Sequence, residues 1–179
     1  MGRLRARSVS TAIATAILMT LINSVHAQQA VTKDKIIGTW KLLSFYDESV
    51  ESGKKTNVLG ADPRGYLIFT ADDRVALIYV AASRETPKSL PPTATEAAAL
   101  FNSMLAYIGR YKIDPTPTEG MTTMIVPAEI ASNPLIEGRD RGFLVRAEGS
   151  KLIFKTNPPT RNPATGEMTT RNVILEREP

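Results

Sequence analysis

Apolar and polar side chains alternate along residues 40–47, where Trp40, Leu42, Ser44 and Tyr46 interleave with Lys41, Leu43, Phe45 and Asp47. A period of two places successive side chains on opposite faces, as a half-buried strand requires. Runs 66–70 and 75–80 carry the same signal on either side of Ala71-Asp72-Asp73-Arg74, where the two aspartates suit a turn, so this region predicts a hairpin. Further strands are predicted over 109–113, 122–126, 142–147, 152–156 and 172–176, with Glu148-Gly149-Ser150 as a tight turn. The stretch 158–166 reads as a polar loop. One segment breaks the period. Over 93–108 the apolar residues Ala97, Leu100, Phe101, Met104, Leu105 and Ile108 follow helical spacing, Thr93 and Glu96 have the spacing of a capping box, and Pro91-Pro92 stop backward extension. Many strands with one inserted amphipathic helix predict a mainly all-β fold, a closed antiparallel barrel.

The first 27 residues speak of destination. Arg3, Arg5 and Arg7 form a basic start, 11–22 is an apolar core, and Val25-His26-Ala27 offers small residues at a cleavage site. A membrane anchor needs about 20 apolar residues, and this core is shorter, interrupted by Thr15 and Thr20 and ended by Asn23. No cysteine follows it for lipid attachment. The expectation is a signal peptide over 1–27, a lead-in over 28–35 and one barrel domain over 36–179, exported to the periplasm or outside the cell with no membrane span in the mature form. About 150 residues suffice for one core.

Losing that segment changes the charge argument. The chain holds 22 Lys+Arg against 18 Asp+Glu, and without the three leader arginines the balance is 19 to 18. A near-neutral mature protein gives no support for nucleic-acid binding. The single histidine, His26, leaves as well, and there is no cysteine. Zinc, copper and non-haem iron sites, Ser-His-Asp and Cys-His nucleophile systems, and disulfides are thereby excluded from the mature chain. The acidic residues lack calcium-loop spacing. No metal and no cofactor is expected.

Gly38-Thr39-Trp40, at the start of the first strand, contains the only tryptophan. A glycine there lets the backbone pass close under the indole, and the indole plugs a barrel end. Together with Lys41-Leu42, with 59–72 (Leu59-Gly60-Ala61-Asp62-Pro63-Arg64-Gly65-Tyr66 onward), with Tyr107-Ile108-Gly109-Arg110-Tyr111, with Asn133-Pro134, Gly138 and Arg141, and with Leu175-Glu176-Arg177, it resembles the bacterial and fungal lipocalin-like domain family over residues 36 to 178. The resemblance implies a closed antiparallel barrel with a cavity, and Arg177 packed against the Trp40 ring. Some relatives lie near secondary-metabolite pathways, where such barrels act as cyclases or isomerases. Many have histidine near the position of Pro127, and this chain departs from them there, so a histidine-dependent activity does not carry over.

Residues left for chemistry are few. Glu129 and Arg141 are the candidate catalytic pair: a carboxylate can act as general base or bind a hydroxyl, and a guanidinium can hold a carboxylate or enolate. The alternative is an ion pair or a solvated rim. Tyr66, Tyr79, Tyr107 and Tyr111 are candidate ligand contacts or core tyrosines bonded to backbone. Phe101 and Met104 would touch a ligand if the helix lies over the barrel mouth as a lid. Asp62 and Arg64 around Pro63 suit a plain turn, and Gly38, Trp40 and Arg177 are structural. Three functions stay open: an exported binder that sequesters or carries a small apolar or amphipathic molecule, a cofactor-free isomerase or cyclase, and a structural or partner-binding barrel with a filled interior. Ligand identity and oligomeric state are not readable from the chain.

Overall fold

A computed structural model describes residues 30–179. The expected signal peptide and the first two residues of the lead-in lie outside the described residues. The chain enters through a short helix, α1 (Lys33–Ile36), and runs into β1 (Gly38–Ser49), β2 (Lys55–Asn57), β3 (Arg64–Phe69) and β4 (Arg74–Val80). Helix α2 (Ala94–Asn102) follows, then β5 (Met104–Arg110), β6 (Lys112–Thr118), β7 (Met121–Ile125) and β8 (Ala128–Ala131). After a 3-10 turn (Pro134–Ile136) come β9 (Gly142–Glu148), β10 (Lys151–Thr156), β11 (Thr160–Arg161) and β12 (Met168–Arg177).

The strands form one curled antiparallel sheet, a half-barrel, in the order β6-β7-β9-β10-β12-β1-β3-β4-β5-β8, with β2 added to β1 and β11 to β12. The mainly-β prediction therefore holds, and so does the antiparallel order. The hydrogen-bonded path has two ends, β6 and β8, so the ladder makes a half-barrel, and the closed barrel of the prediction goes beyond it. The two ends belong to one bent hairpin. β5 passes into β6 through Tyr111 alone, and β7 passes into β8 through Val126 and Pro127. At the bend Gly109 faces Ala128 across a register irregularity. A Cβ on Gly109 would overlap the Pro127 carbonyl oxygen, so only glycine lets the two strands approach this closely.

One end of the sheet is plugged. Trp40 is 2% exposed, and its indole N–H donates to the Ile36 carbonyl at 2.7 Å. The Arg177 guanidinium lies over the Trp40 ring at 5.1 Å and donates to the carbonyls of Lys35 and Ile37 at 2.9 and 2.7 Å. Gly38 sits at φ +131° directly under that guanidinium. Val31 and Ile36 complete the plug, and the Val31 N–H donates to the Thr122 hydroxyl at 2.7 Å.

Two predicted details differ. Alternation in β1 does not run unbroken: the β1–β12 register shifts between Leu42 and Ser44. This bulge adds one residue and reverses the faces beyond it. Trp40 and Leu42 are buried on one side of the shift, and Phe45, Asp47 and Ser49 on the other. Ser44 and Tyr46 therefore do not continue the inward face.

The helix predicted over 93–108 ends at Asn102, and Met104, Leu105 and Ile108 belong to β5. All seven residues of β5 pair with β4, from Val80↔Met104 to Arg74↔Arg110. α2 carries no buried residue, so prolonging it would bury nothing in exchange for that ladder. The capping box forms as predicted: Thr93 accepts from the Glu96 N–H, and Glu96 accepts from the Thr93 N–H at 2.9 Å. That backbone bond, with the Thr93 hydroxyl second, holds the Glu96 carboxyl below its usual 4.5. A lowered carboxyl stabilises the helix above its ordinary pKa, and the contribution is lost as pH falls through the lowered value. Protection factors of the α2 amides, taken relative to intrinsic exchange at each pH, are expected to fall between about pH 5 and pH 3 while those of the strand amides hold. Equal loss of protection in helix and sheet would contradict an independent helix.

Candidate functional site

The inward faces of the strands surround a narrow cavity. Its walls are apolar: Phe45 from β1, Leu67 and Phe69 from β3, Tyr79 from β4, Tyr107 from β5 and Phe154 from β10 are among them. Phe69 and Phe154 stack at 6.3 Å, and Phe143 meets Phe154 edge-on at 6.0 Å. The free volume is about 30 Å³, room for about two waters. Side chains thus occupy most of the interior.

Four polar side chains line this space, two tyrosines and two arginines. Tyr79 is 2% exposed and Tyr107 8%. Among the described residues neither hydroxyl has a hydrogen-bond partner. Burial pushes the Tyr79 phenol well above its usual 10.0, with the neighbouring Tyr107 adding to it. Burial also raises Tyr107, and the Arg141 charge partly offsets that rise. Both phenols stay neutral and keep an O–H to donate. The third group is Arg141, which immediately precedes β9. Its backbone exchanges bonds with Val126 at 2.9 and 3.3 Å, which fixes its stem on the cavity wall. The guanidinium lies over the rings of Tyr107 and Phe143 at 5.1 and 5.4 Å.

A second guanidinium, Arg171, also lines the cavity. It is neutralised, because its Nε and Nη2 donate to the two oxygens of Asp47 at 2.8 and 2.9 Å. Asp47 and Arg171 stand directly opposite one another across β1 and β12. Charge within the alternating pattern was the only sequence signal for this pair, and the bulge in β1 hid which face Asp47 takes.

The expected pairing of Glu129 with Arg141 is not formed. Glu129 is exposed and bonds to Arg74 at 2.9 Å, with Arg110 at 3.7 Å. These three groups lie outside the cavity, with both arginines drawn from strands adjacent to β8 or one strand further on. Glu129 thus has the ion-pair role rather than that of a base facing the cavity. Of the other candidates, Tyr79, Tyr107 and Arg141 line the cavity, whereas Tyr66, Phe101, Met104 and Tyr111 do not. Tyr66 is 44% exposed on the outer face of β3. Phe101 is exposed on α2, and Met104 opens β5 opposite Val80. Tyr111 is buried edge-on against Phe69 at 5.0 Å, and its hydroxyl donates to the Thr70 carbonyl at 3.4 Å. The helix therefore places no side chain over the cavity as the lid reading required.

Among the described residues no group of three or more acidic side chains converges where a metal ion would be held. No helix among them is long and apolar enough to cross a membrane. A family model described as a lipocalin-like domain matches residues 37–177 of the chain. No curated protein matches it.

Proposed function

The chain belongs to the lipocalin-like domain family, and from that membership we propose that it is an exported barrel that binds one small apolar or amphipathic molecule in its interior. The observation that carries this reading is the aromatic-walled cavity holding two tyrosine hydroxyls without protein partners. Apolar walls with a few convergent polar groups are what a small-molecule site requires. Closure of the half-barrel into a barrel is part of the proposal. Its support is the bent hairpin: β5 pairs with β4, its continuation β6 pairs with β7, and β7 pairs with β9.

The ligand is small, because the free space is about 30 Å³. That same figure favours a second reading, an interior simply filled by side chains. A neutral probe separates the two. Xenon, an apolar probe of a few water volumes followed by xenon NMR, is expected to bind the wild-type cavity weakly and saturably. Val75→Phe puts a ring into the cavity from a position 1% exposed, at a cost of about 1–3 kcal/mol in stability. It is expected to weaken the probe at least tenfold. Absence of probe binding to the wild type would favour the filled barrel. The leader sequence supports export, for which the expected result is exported protein with an intact mass starting at Gln28.

A further inference from the structure

The inner face of the sheet lines the cavity, and the outer face carries a second apolar pattern. On β3, β4 and β5 the outward positions hold Tyr66 and Ile68, Ala76 and Ile78, and Ala106 and Ile108. The register sets Tyr66, Ile78 and Ala106 in one row and Ile68, Ala76 and Ile108 in the next. Tyr66, Ile68 and Ile78 are 44, 41 and 50% exposed. Helix α2 carries no buried residue, so it does not cover them. We propose that this face is the contact surface of a two-fold symmetric dimer of the protein.

Self-complementarity gives the first argument. On β4 and β5 large and small side chains alternate in both directions, with Ile78 opposite Ala106 and Ala76 opposite Ile108. Each isoleucine projects and each alanine leaves a hollow. A two-fold axis in the plane of contact, running across the strands between the two rows, sets Ile78 of one protomer on Ala76 of the other and Ile108 on Ala106. Projections then enter hollows from both sides at once, as an isologous interface requires. An unrelated partner would have to carry the same checkerboard, whereas a second copy carries it by identity.

Area and charge agree with this. With Ile130 beside Ile108, these side chains present roughly 400 Å² of apolar surface to water, a size at which a surface patch is often functional. A stable interface covers about 800 Å² per partner, with an apolar centre and a polar rim. The patch supplies the centre, and the stems of Lys41, Arg64, Arg74 and Arg110 on the same face supply the rim. Among the described residues Arg64 has no carboxylate partner. The same rotation lays β3 of one protomer antiparallel over β3 of the other, which brings Arg64 to the second copy's β3–β4 turn, where Asp72 is exposed.

Sedimentation velocity of the purified protein over a range of concentrations tests the proposal. Wild type is expected to dimerise with a Kd of about 10 μM or tighter. Ile78→Lys puts a charge where the copies meet, and Ala76→Gln fills a hollow. Each is expected to weaken the dimer at least tenfold. Both positions lie on the surface of the sheet, so the circular dichroism of the variants should match wild type. Val50→Lys is expected to dimerise as wild type does, because Val50 is exposed beyond the end of β1 that pairs with β12. A wild type that stays monomeric at about 200 μM overturns the proposal. So does a dimer that both Ile78→Lys and Ala76→Gln leave intact. A monomer that accumulates on phosphatidylglycerol vesicles, and is released by Ile78→Lys, gives the face to a lipid surface and likewise overturns the dimer.

Discussion

Trp40→Ala is expected to destabilise the protein by about 3–5 kcal/mol, the range for truncating a large buried aromatic. The indole is 2% exposed and its N–H is bonded to the Ile36 carbonyl. Alanine removes the apolar mass, leaves that carbonyl without its donor, and takes away the ring beneath the Arg177 guanidinium. Because small domains have about 5–15 kcal/mol in total, this one change consumes a large fraction. Urea unfolding should show a lower midpoint with little change in slope. Trp40→Phe keeps part of the mass and should lose less. A loss below about 1 kcal/mol for the alanine variant would mean the indole is not part of a packed plug.

Gly109→Ala is expected to cost about 3 kcal/mol or more, at the upper end of overpacking effects. The added methyl would meet backbone at Pro127 and Ala128 rather than a side-chain tip, and backbone cannot rotate out of the way. The β5–β8 pairing has to open, and with it the bend that joins β5 to β6. Near-UV circular dichroism and urea unfolding read this directly. An alanine variant within about 1 kcal/mol of wild type would mean the two strands separate here without consequence.

Most strands were legible because period-two alternation survives in 66–70, 75–80, 142–147 and 152–156, which correspond to β3, β4, β9 and β10. The bulge in β1 was not legible, since one extra residue leaves local composition unchanged while moving Phe45 and Asp47 inward. Helical spacing over 93–108 concealed a strand because Met104, Leu105 and Ile108 continue the three-and-four count from Phe101, whereas the inward residues of the strand, Leu105 and Tyr107, are two apart. Only the pairing of β5 with β4 decides between the two patterns. At the candidate site, Arg141 and the two buried tyrosines were readable as chemical types. Which carboxylate each arginine meets was not. Arg74 lies 55 residues from Glu129 and Arg171 lies 124 from Asp47, and such distances leave no trace in neighbouring residues.

Pairing of the first long strand with the last one has a kinetic consequence. β1 is flanked by β12 along most of its length, and Arg177 meets the Ile37 carbonyl 140 residues away in the chain. Nearly the whole polypeptide has to be made and gathered before that seam forms. Closing so large a loop sacrifices chain entropy ahead of any reward. The hairpins β3–β4 and β9–β10 are local and able to zip early. Refolding is therefore paced by the meeting of β1 with β12, and a nascent protein emerging during synthesis exposes an unmatched β1 edge until β12 arrives.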